Sequence, residues 1–209
     1  MRLLLLVVCV LVIFAVPVLA VDPPVDNGVG VLGIYTQPAA GPGSDTHLEN
    51  VVPGEVYRLY FVLYHDNTYT RALGAYEFGW RVEPAGAAPM VLDIQWAPQY
   101  GECYNFGSAF DLLVGYTMWN PHDPAAGYLL FSADVMFDTA PDNAGIYLGP
   151  SSLESIAGEM AYCDFVRPDE LFVMVPNNQD QSQDAPVFTF NSVVATEARS
   201  LSSVKALFD

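Results

Sequence analysis

Positive charge is scarce in this chain. Its 209 residues include 7 lysines and arginines against 24 aspartates and glutamates, and the formal net charge is −17 at pH 7. A field of this sign repels nucleic acid phosphates and anionic membrane surfaces. The composition therefore argues against nucleic acid as a partner and leaves neutral glycans, cations or basic proteins. High solubility explains the same charge without any partner.

Recognisable catalytic motifs are absent as well. The sequence contains no Gly-x-Ser-x-Gly nucleophile turn, no His-Glu-x-x-His zinc motif and no phosphate-binding glycine loop. Its three histidines are His47, His65 and His122, and the last two precede aspartates at predicted turns. We therefore expect no enzymatic activity and no cofactor. A hydrolase whose two acidic residues meet only in space is the weaker alternative.

The first twenty residues have the pattern of a secretory signal peptide. Arg2 is followed by an apolar run over residues 3–19, and the small residue Ala20 ends the segment. This order of charge, apolar run and small residue predicts cleavage after Ala20, although retention as a membrane anchor is an alternative. We expect an exported protein, periplasmic, cell-surface or extracellular, with one domain over 21–195 and a tail over 196–209.

Cysteine is rare, and its count is even after cleavage. Of the three cysteines, Cys9 lies in the signal peptide, which leaves Cys103 and Cys163. In an oxidising compartment two such residues most often form an intramolecular disulfide, which we predict here. Two free thiols or an intermolecular bridge are the alternatives.

Apolar and polar residues alternate over most of the mature chain. The clearest alternation spans residues 75–83, with one side formed by Tyr76, Phe78, Trp80 and Val82. A period of two is typical of a strand that buries one face and exposes the other to water. We expect Trp80 to lie in the core with Tyr76 and Phe78.

Other segments repeat this pattern. In residues 90–96 it predicts a buried face made of Met90, Leu92, Ile94 and Trp96. In residues 128–137 the predicted buried face is Leu129, Phe131, Ala133, Val135 and Phe137. Residues 56–65 are apolar on both faces, which favours a central strand.

Shorter apolar segments complete the set, at residues 29–36, 48–52, 111–119, 146–148, 170–175 and 187–194. The segments are separated by Pro, Gly, Asn and Asp, and only residues 151–158 have the pattern of a helical turn. Nine or ten short strands with such turns predict an all-β fold, an antiparallel β-sandwich of the jelly-roll or immunoglobulin-like type.

Candidate ligand-binding residues are aromatic and lie in loops or at strand ends. They are Tyr100, Tyr104, Phe106 and Trp119. Exposed rings stack on sugars and anchor protein interfaces, whereas rings folded over the end of the sandwich would only complete the core. Both interpretations stay open.

A polar loop near the C-terminus is a weak candidate for structural calcium. Oxygen-bearing side chains alternate there, in the order Asn178, Asp180, Ser182 and Asp184. The glycine at position six and the acidic residue at position twelve of a calcium loop are missing, so a solvated loop is the simpler interpretation.

Three segments resemble the opening of cohesin-like domains, which are secreted bacterial β-sandwiches. They are residues 54–61 (GEVYRLYF), 74–80 (GAYEFGW) and 91–94 (VLDI), and residues 127–137 match a later strand. The tail, residues 195–208, looks like the C-terminal tails of exported proteins of uncultured Gram-negative bacteria. Cohesins bind dockerins, but neither resemblance carries catalytic residues.

The sequence therefore predicts an exported, non-catalytic β-sandwich that binds or scaffolds. Its expected partner is a protein, and no membrane contact is expected after cleavage. A carbohydrate-binding module that binds neutral glycans through the loop aromatics is the alternative.

Overall fold

The structure is a computed structural model, and it describes residues 29–38, 46–64, 72–97, 102–117 and 127–191. Within these ranges the chain forms twelve strands and one short 3-10 turn, Ala85–Ala87. The strands are β1 Gly30–Tyr35, β2 His47–Leu48, β3 Val56–Tyr64, β4 Leu73–Glu83, β5 Met90–Trp96, β6 Cys103–Asn105, β7 Asp111–Tyr116, β8 Tyr128–Met136, β9 Ala144–Gly149, β10 Met160–Asp164, β11 Leu171–Pro176 and β12 Phe188–Phe190. The predicted all-β class is confirmed. No helix in these ranges has the length and apolarity needed to cross a membrane.

The hydrogen-bonded strand order is β2-β12-β9-β4-β10-β11-β1-β3-β8-β5, with β7 on the other edge of β4 and β6 beyond it. Most neighbouring pairs are antiparallel, but β1 pairs with β11, and β12 with β2, in parallel. Strand β4 is long enough to pair with β10 along its first half and with β9 along its second. The predicted central strand, β3, lies between β1 and β8.

Ring contacts show that the strands form two packed layers. Phe61 of β3 stacks on Phe131 of β8 at 4.2 Å and also lies 5.5 Å from Trp80 of β4, between ring centroids. Because β3 and β8 are not hydrogen-bonded to β4, these contacts join two sheet faces across a core. We call β5, β8, β3, β1 and β11 the first layer, and the remaining strands the second layer.

The alternation predicted for β4 is confirmed. Trp80 is 3% exposed and shares the core with Tyr76 and Phe78. Glu77 lies on the opposite face, which the alternation predicts to meet water. Glu77 is instead only 3% exposed, because residues 151–159 cross over it.

Two predicted strand faces are partly wrong because β-bulges interrupt the alternation. In β5 the register shifts between Val91 and Asp93, so Val91 packs against the core and Leu92 is 45% exposed. Met90, also predicted to be buried, is 48% exposed. An extra residue on one strand turns every later side chain to the other face, which a strict period of two does not predict.

The second bulge lies in β8. Its register with β3 runs from Phe61↔Phe131 to Val62↔Leu129, so Leu130 is the additional residue. Leu130 is fully buried in the core, whereas Leu129 packs on the outer side of the layer with Val62. The prediction for Leu129 is therefore wrong, and those for Phe131, Ala133, Val135 and Phe137 are confirmed.

The predicted disulfide does not form. Cys103 and Cys163 are both free. Cys103 pairs with Tyr116 of β7, and Cys163 pairs with Ala75 of β4, so two strands separate them. Three strand spacings of about 4.8 Å place them roughly 14 Å apart. A disulfide tolerates only about 7 Å between its Cα atoms.

The two thiols also face opposite ways. Cys103 packs against the core, whereas Cys163 lies beside Ala75 and Glu77 on the outer side of the second layer. Burial raises the pKa of Cys163 to about 11. The thiol therefore stays protonated at neutral pH and is a poor nucleophile.

Candidate functional site

Residues 151–159, which we call the strap, cross the outer face of the second layer. It was predicted to be a helical turn, but it consists of turns and bends. Carboxylates that rise from the sheet bind its serines, so the strap follows the sheet surface rather than its own helical hydrogen bonds. The strap leaves the part of the face along β6 and β7 uncovered.

Glu77 of β4 is the first anchor of the strap. Its carboxylate accepts hydrogen bonds from the amide of Ser155 at 2.5 Å and from the Ser155 hydroxyl at 2.8 Å. A buried carboxylate without donors would be costly, and these two bonds offset its desolvation. Glu77 is therefore a structural group and not a free acid.

Asp111, at the start of β7, is the second anchor. Its carboxylate accepts hydrogen bonds from the Ser152 hydroxyl, from the Ser151 hydroxyl at 2.7 Å and from the Ser152 amide at 2.9 Å. These bonds, led by that of the Ser152 hydroxyl, lower the pKa of Asp111 because they favour the charged form. The carboxylate is ionised at neutral pH and is not available as a general acid.

An apolar stripe lies on the uncovered side. Its members, by exposed fraction, are Phe106 at 70%, Leu153 at 57% and Tyr104 at 48%. Register places them together along β7. Tyr104 lies opposite Gly115, the Phe106 ring lies 4.0 Å from the position of a Cβ at Gly115, and the strap carries Leu153 past Asp111. Exposed apolar groups in contiguous patches mark interaction surfaces.

The stripe contains two of the four aromatic residues predicted from the sequence. Tyr104 and Phe106 are exposed and do not fold over the core, while Tyr100 and Trp119 lie outside the described residues. Glycine at position 115 leaves the space that the Phe106 ring covers. A ligand for these rings stays a prediction.

A groove of about 400 Å³ adjoins the stripe. It is lined by Gly79, Trp80, Arg81, Phe110, Asp111, Gly149, Pro150, Ser151, Ser152 and Gln183. Sequence reasoning missed this site. No motif marks it, because its parts come from β4, β7, β9 and two loops that meet only in the folded chain.

The predicted calcium loop has its own internal bonding. The Asn178 side chain donates to the carbonyls of Ser182 and Ala185, at 2.8 and 2.9 Å, and accepts from the Ser182 amide at 2.9 Å. Within the ranges given above, no three His, Cys, Asp or Glu side chains are grouped as a metal site. Calcium at Asn178, Asp180, Ser182 and Asp184 stays a prediction.

The outer face of the first layer is covered differently. Tyr35 and Val62 are buried there, with Tyr60, Tyr64 and Leu129 packed around them. The rings of Tyr35 and Tyr64 meet edge to face at 6.3 Å, and Asn177 donates a 2.6 Å hydrogen bond to the Tyr35 hydroxyl. Burial, followed by the neighbouring Tyr64, raises the pKa of Tyr35 to about 12.

One end of that face carries exposed aliphatic side chains. Val56, Met136 and Met90 form a row across three strands, and Val56 and Met90 are 54% and 48% exposed. The next row holds an ion pair between Arg58 and Asp134, with 2.6 Å between Nε and Oδ1. This exposed surface is a second candidate site for protein docking.

Among solved structures, the chain is similar to cohesin modules from several organisms. The cohesin module of a family 33 glycoside hydrolase from Clostridium perfringens is 10% identical, with a TM-score of 0.40 over 71% of this chain and 98% of that module. A type I cohesin from Clostridium thermocellum, solved with a dockerin, is 8% identical, with a TM-score of 0.47 over 75% and 94%. A non-cellulosomal cohesin from Archaeoglobus fulgidus is 11% identical, with a TM-score of 0.38 over 76% and 94%.

The predicted resemblance to cohesin-like β-sandwiches is thus confirmed. No protein-family model matches the chain, and no curated protein is similar to it in sequence. At these identities and TM-scores the likeness carries no argument about partner or activity. The function has to be inferred from the surface of the chain itself.

Proposed function

We propose that this chain is an exported, non-catalytic module that binds a protein partner through the apolar stripe of its second layer. The observation that carries the proposal is the exposure of Tyr104, Phe106 and Leu153 on the outer face of this layer. Large aromatic side chains dominate the binding energy of protein interfaces. The aliphatic row at Val56 and Met90 lacks such rings, which favours the stripe.

The charges around the stripe favour a basic partner. Glu102 and Glu154 are exposed beside it, and the Tyr104 hydroxyl is hydrogen-bonded to Glu102. The three arginines in the described ranges, Arg58, Arg81 and Arg167, each pair with a carboxylate. The surface therefore presents uncompensated negative charge, which steers positively charged partners toward it.

The roles of the nearby carboxylates support binding rather than catalysis. Glu77 and Asp111 are the acidic groups that lie under the strap, and both hold serine donors. A glycosidase needs one carboxylic acid that protonates the leaving group and a second free carboxylate. Export is a separate part of the proposal and depends on the pattern of residues 1–20.

The proposed interface can be tested with fragments of the genome that encodes the chain, displayed on yeast and sorted for binding. Dockerins, present with several cohesin neighbours, are added as purified probes. Selected binders are then measured by calorimetry against Phe106→Glu and Leu153→Glu, with Met90→Glu on the other face as the matched control. We expect at least a tenfold loss, about 1.4 kcal/mol, for the stripe variants only.

Two results would contradict the proposal. One is a sort that yields no binder of the folded chain. The other is a set of binders that lose affinity with Met90→Glu and keep it with both stripe variants, which would move the interface to the first layer. Circular dichroism of each variant shows that the fold is retained.

A further inference from the structure

The aliphatic row on the first layer is an apolar surface at the edge of the sandwich. Val56 of β3 pairs with Met136 of β8, and Met136 pairs with Met90 of β5, the strand that ends the hydrogen-bonded order. The row therefore crosses three strands, a width of about 10 Å. The ion pair between Arg58 and Asp134 occupies the next row and separates the aliphatic row from the tyrosines that cover the rest of this face.

The chain leaves the described part of the sandwich at the same end. Asn191, the last described residue, accepts a hydrogen bond from the Val51 amide through its Oδ1 at 2.9 Å, and its Nδ2 donates to the carbonyl of Pro141 at 2.9 Å. The turn that follows Val51 leads directly into β3 at Val56, the first member of the row. These bonds fix the point from which residues 192–209 start.

The predicted tail, residues 196–209, carries apolar side chains with helical spacing. Leu201, Val204 and Leu207 recur every three residues, whereas the alternation of a strand would place the charged Lys205 on the same side as Leu201. A spacing of three places side chains on one face of a helix. From position 201 to position 207 a helix rises about 9 Å, which matches the width of the row.

The connection between the two is long enough. Residues 192–200 can span up to about 30 Å when extended, three times the width of the row. A segment tethered in this way is present at a high effective concentration, which a separate molecule does not have. The tether therefore favours the tail of the same chain as the occupant of the row.

Charge favours the same occupant over a second copy of the chain. Residues 196–209 hold two of the seven cations, Arg199 and Lys205, but only two of the 24 acidic residues. Glu55 precedes the row and Asp93 lies in the next row, and neither pairs with an arginine of the described ranges. Two whole copies, each with a net charge of −17, would repel each other.

We propose that residues 196–209 fold back on the aliphatic row of the same chain as an amphipathic helix. The face formed by Leu201, Val204 and Leu207 covers the row, and Lys205, which flanks that face, lies toward Asp93. The tail thereby occupies the second candidate site for protein docking, and the stripe is the apolar surface left free for a partner.

The test is a methyl NMR spectrum of the mature chain labelled with ¹³C at the methionine methyl groups. A stop codon after Ala195 removes the tail and should shift the resonances of Met90 and Met136. Met160 and Met174 are fully buried in the core, so their resonances should not move, and they report that the fold is intact.

Two point variants of the mature chain isolate the apolar face of the tail. Val204→Asp places a carboxylate on that face and should move the Met90 and Met136 resonances toward their positions in the truncated chain. Ser202→Asp is the matched control, because it adds the same charge on the opposite side of the helix, and it should leave both resonances in place.

Unchanged Met90 and Met136 resonances in the truncated chain would overturn the proposal, as would equal effects of the two aspartates. A shift that depends on chain concentration would assign the tail to a neighbouring molecule, and changes confined to the amides of Tyr104 and Phe106 would place it on the stripe; either result also overturns it. None of these variants alters the stripe, so this proposal and protein docking at the stripe can fail separately.

Discussion

The two outer faces of the sandwich are covered by different structural elements. On the first layer, tyrosines of the strands themselves lie over the sheet, and Tyr35 is so close to Gly33 that a side chain there would overlap its hydroxyl. On the second layer, a loop does the covering, and buried or hydrogen-bonded carboxylates hold it in place.

The difference explains where a site can form. Side chains that pack on their own sheet fill the space above it, and at one end of this face they leave an aliphatic row exposed. On the second layer the strap leaves Tyr104, Phe106 and Leu153 exposed, and its first residues line the groove. Rigid strands that present such surfaces are typical supports for binding sites.

The largest expected effect concerns the tyrosine cover. Tyr35→Ala should lower the free energy of unfolding by about 3–5 kcal/mol, as for other large buried aromatic residues. Tyr35→Phe keeps the ring and loses only the bond from Asn177, so it should cost about 1 kcal/mol. Urea denaturation measures both. Equal losses would mean that the hydroxyl, and not the ring, maintains this face.

The strap should be less important for stability. Glu77→Ala removes both hydrogen bonds to Ser155 and should cost about 1–3 kcal/mol. Hydrogen exchange of residues 151–159 should rise, while the Tyr35 region stays protected. Glu83→Ala, on the same strand face but exposed, is the control, with a change within about 0.5 kcal/mol. A loss shared by all strands would show that the strap belongs to the core.

The second anchor predicts a dependence on acid pH. Because the folded pKa of Asp111 is below its unfolded value, its contribution is complete above the unfolded pKa and is lost as pH falls through the folded one. The Ser152 amide resonance should report this transition below the ordinary aspartate range. Asp111→Asn should remove it. A midpoint in the ordinary range would contradict the hydrogen-bonded geometry.

The smallest expected effect is that of a reducing agent. Since Cys103 and Cys163 lie on opposite faces, reductant should leave the melting temperature unchanged, and mass spectrometry of the unfolded, alkylated chain should find two labelled thiols. In the native chain Cys163 should react slowly, because burial raises its thiol pKa. A melting temperature that falls with reductant would restore the predicted disulfide.

Much of the fold follows from local pattern. Strict alternation in β4 was enough to place Trp80 with Tyr76 and Phe78 in the core, and apolar residues on both faces were enough to place β3 centrally. The faces of Leu92 and Leu129 were predicted wrongly, because a bulge depends on the pairing register with another strand. Strand β10 was not predicted, because it is buried on both faces and shows no alternation.

Little of the site could be predicted. Tyr104 and Phe106 were candidates because aromatic residues in a loop can be exposed, but the sequence left inward packing equally open. Glu77, Asp111 and the groove carry no local signal, since each depends on a partner more than thirty residues away in the chain, such as Ser155 or Gly149.

The sequence by itself determined the class of the protein: an acidic, all-β chain with an export signal pattern, a buried Trp80 and no catalytic motif. These properties depend on composition and on a period of two, which neighbouring residues set. Only the tertiary structure decided that the two cysteines lie on opposite faces, where the bulges reset the alternation and which carboxylates hold the strap. Those properties depend on contacts between distant strands, and pairing register, not local propensity, fixes them.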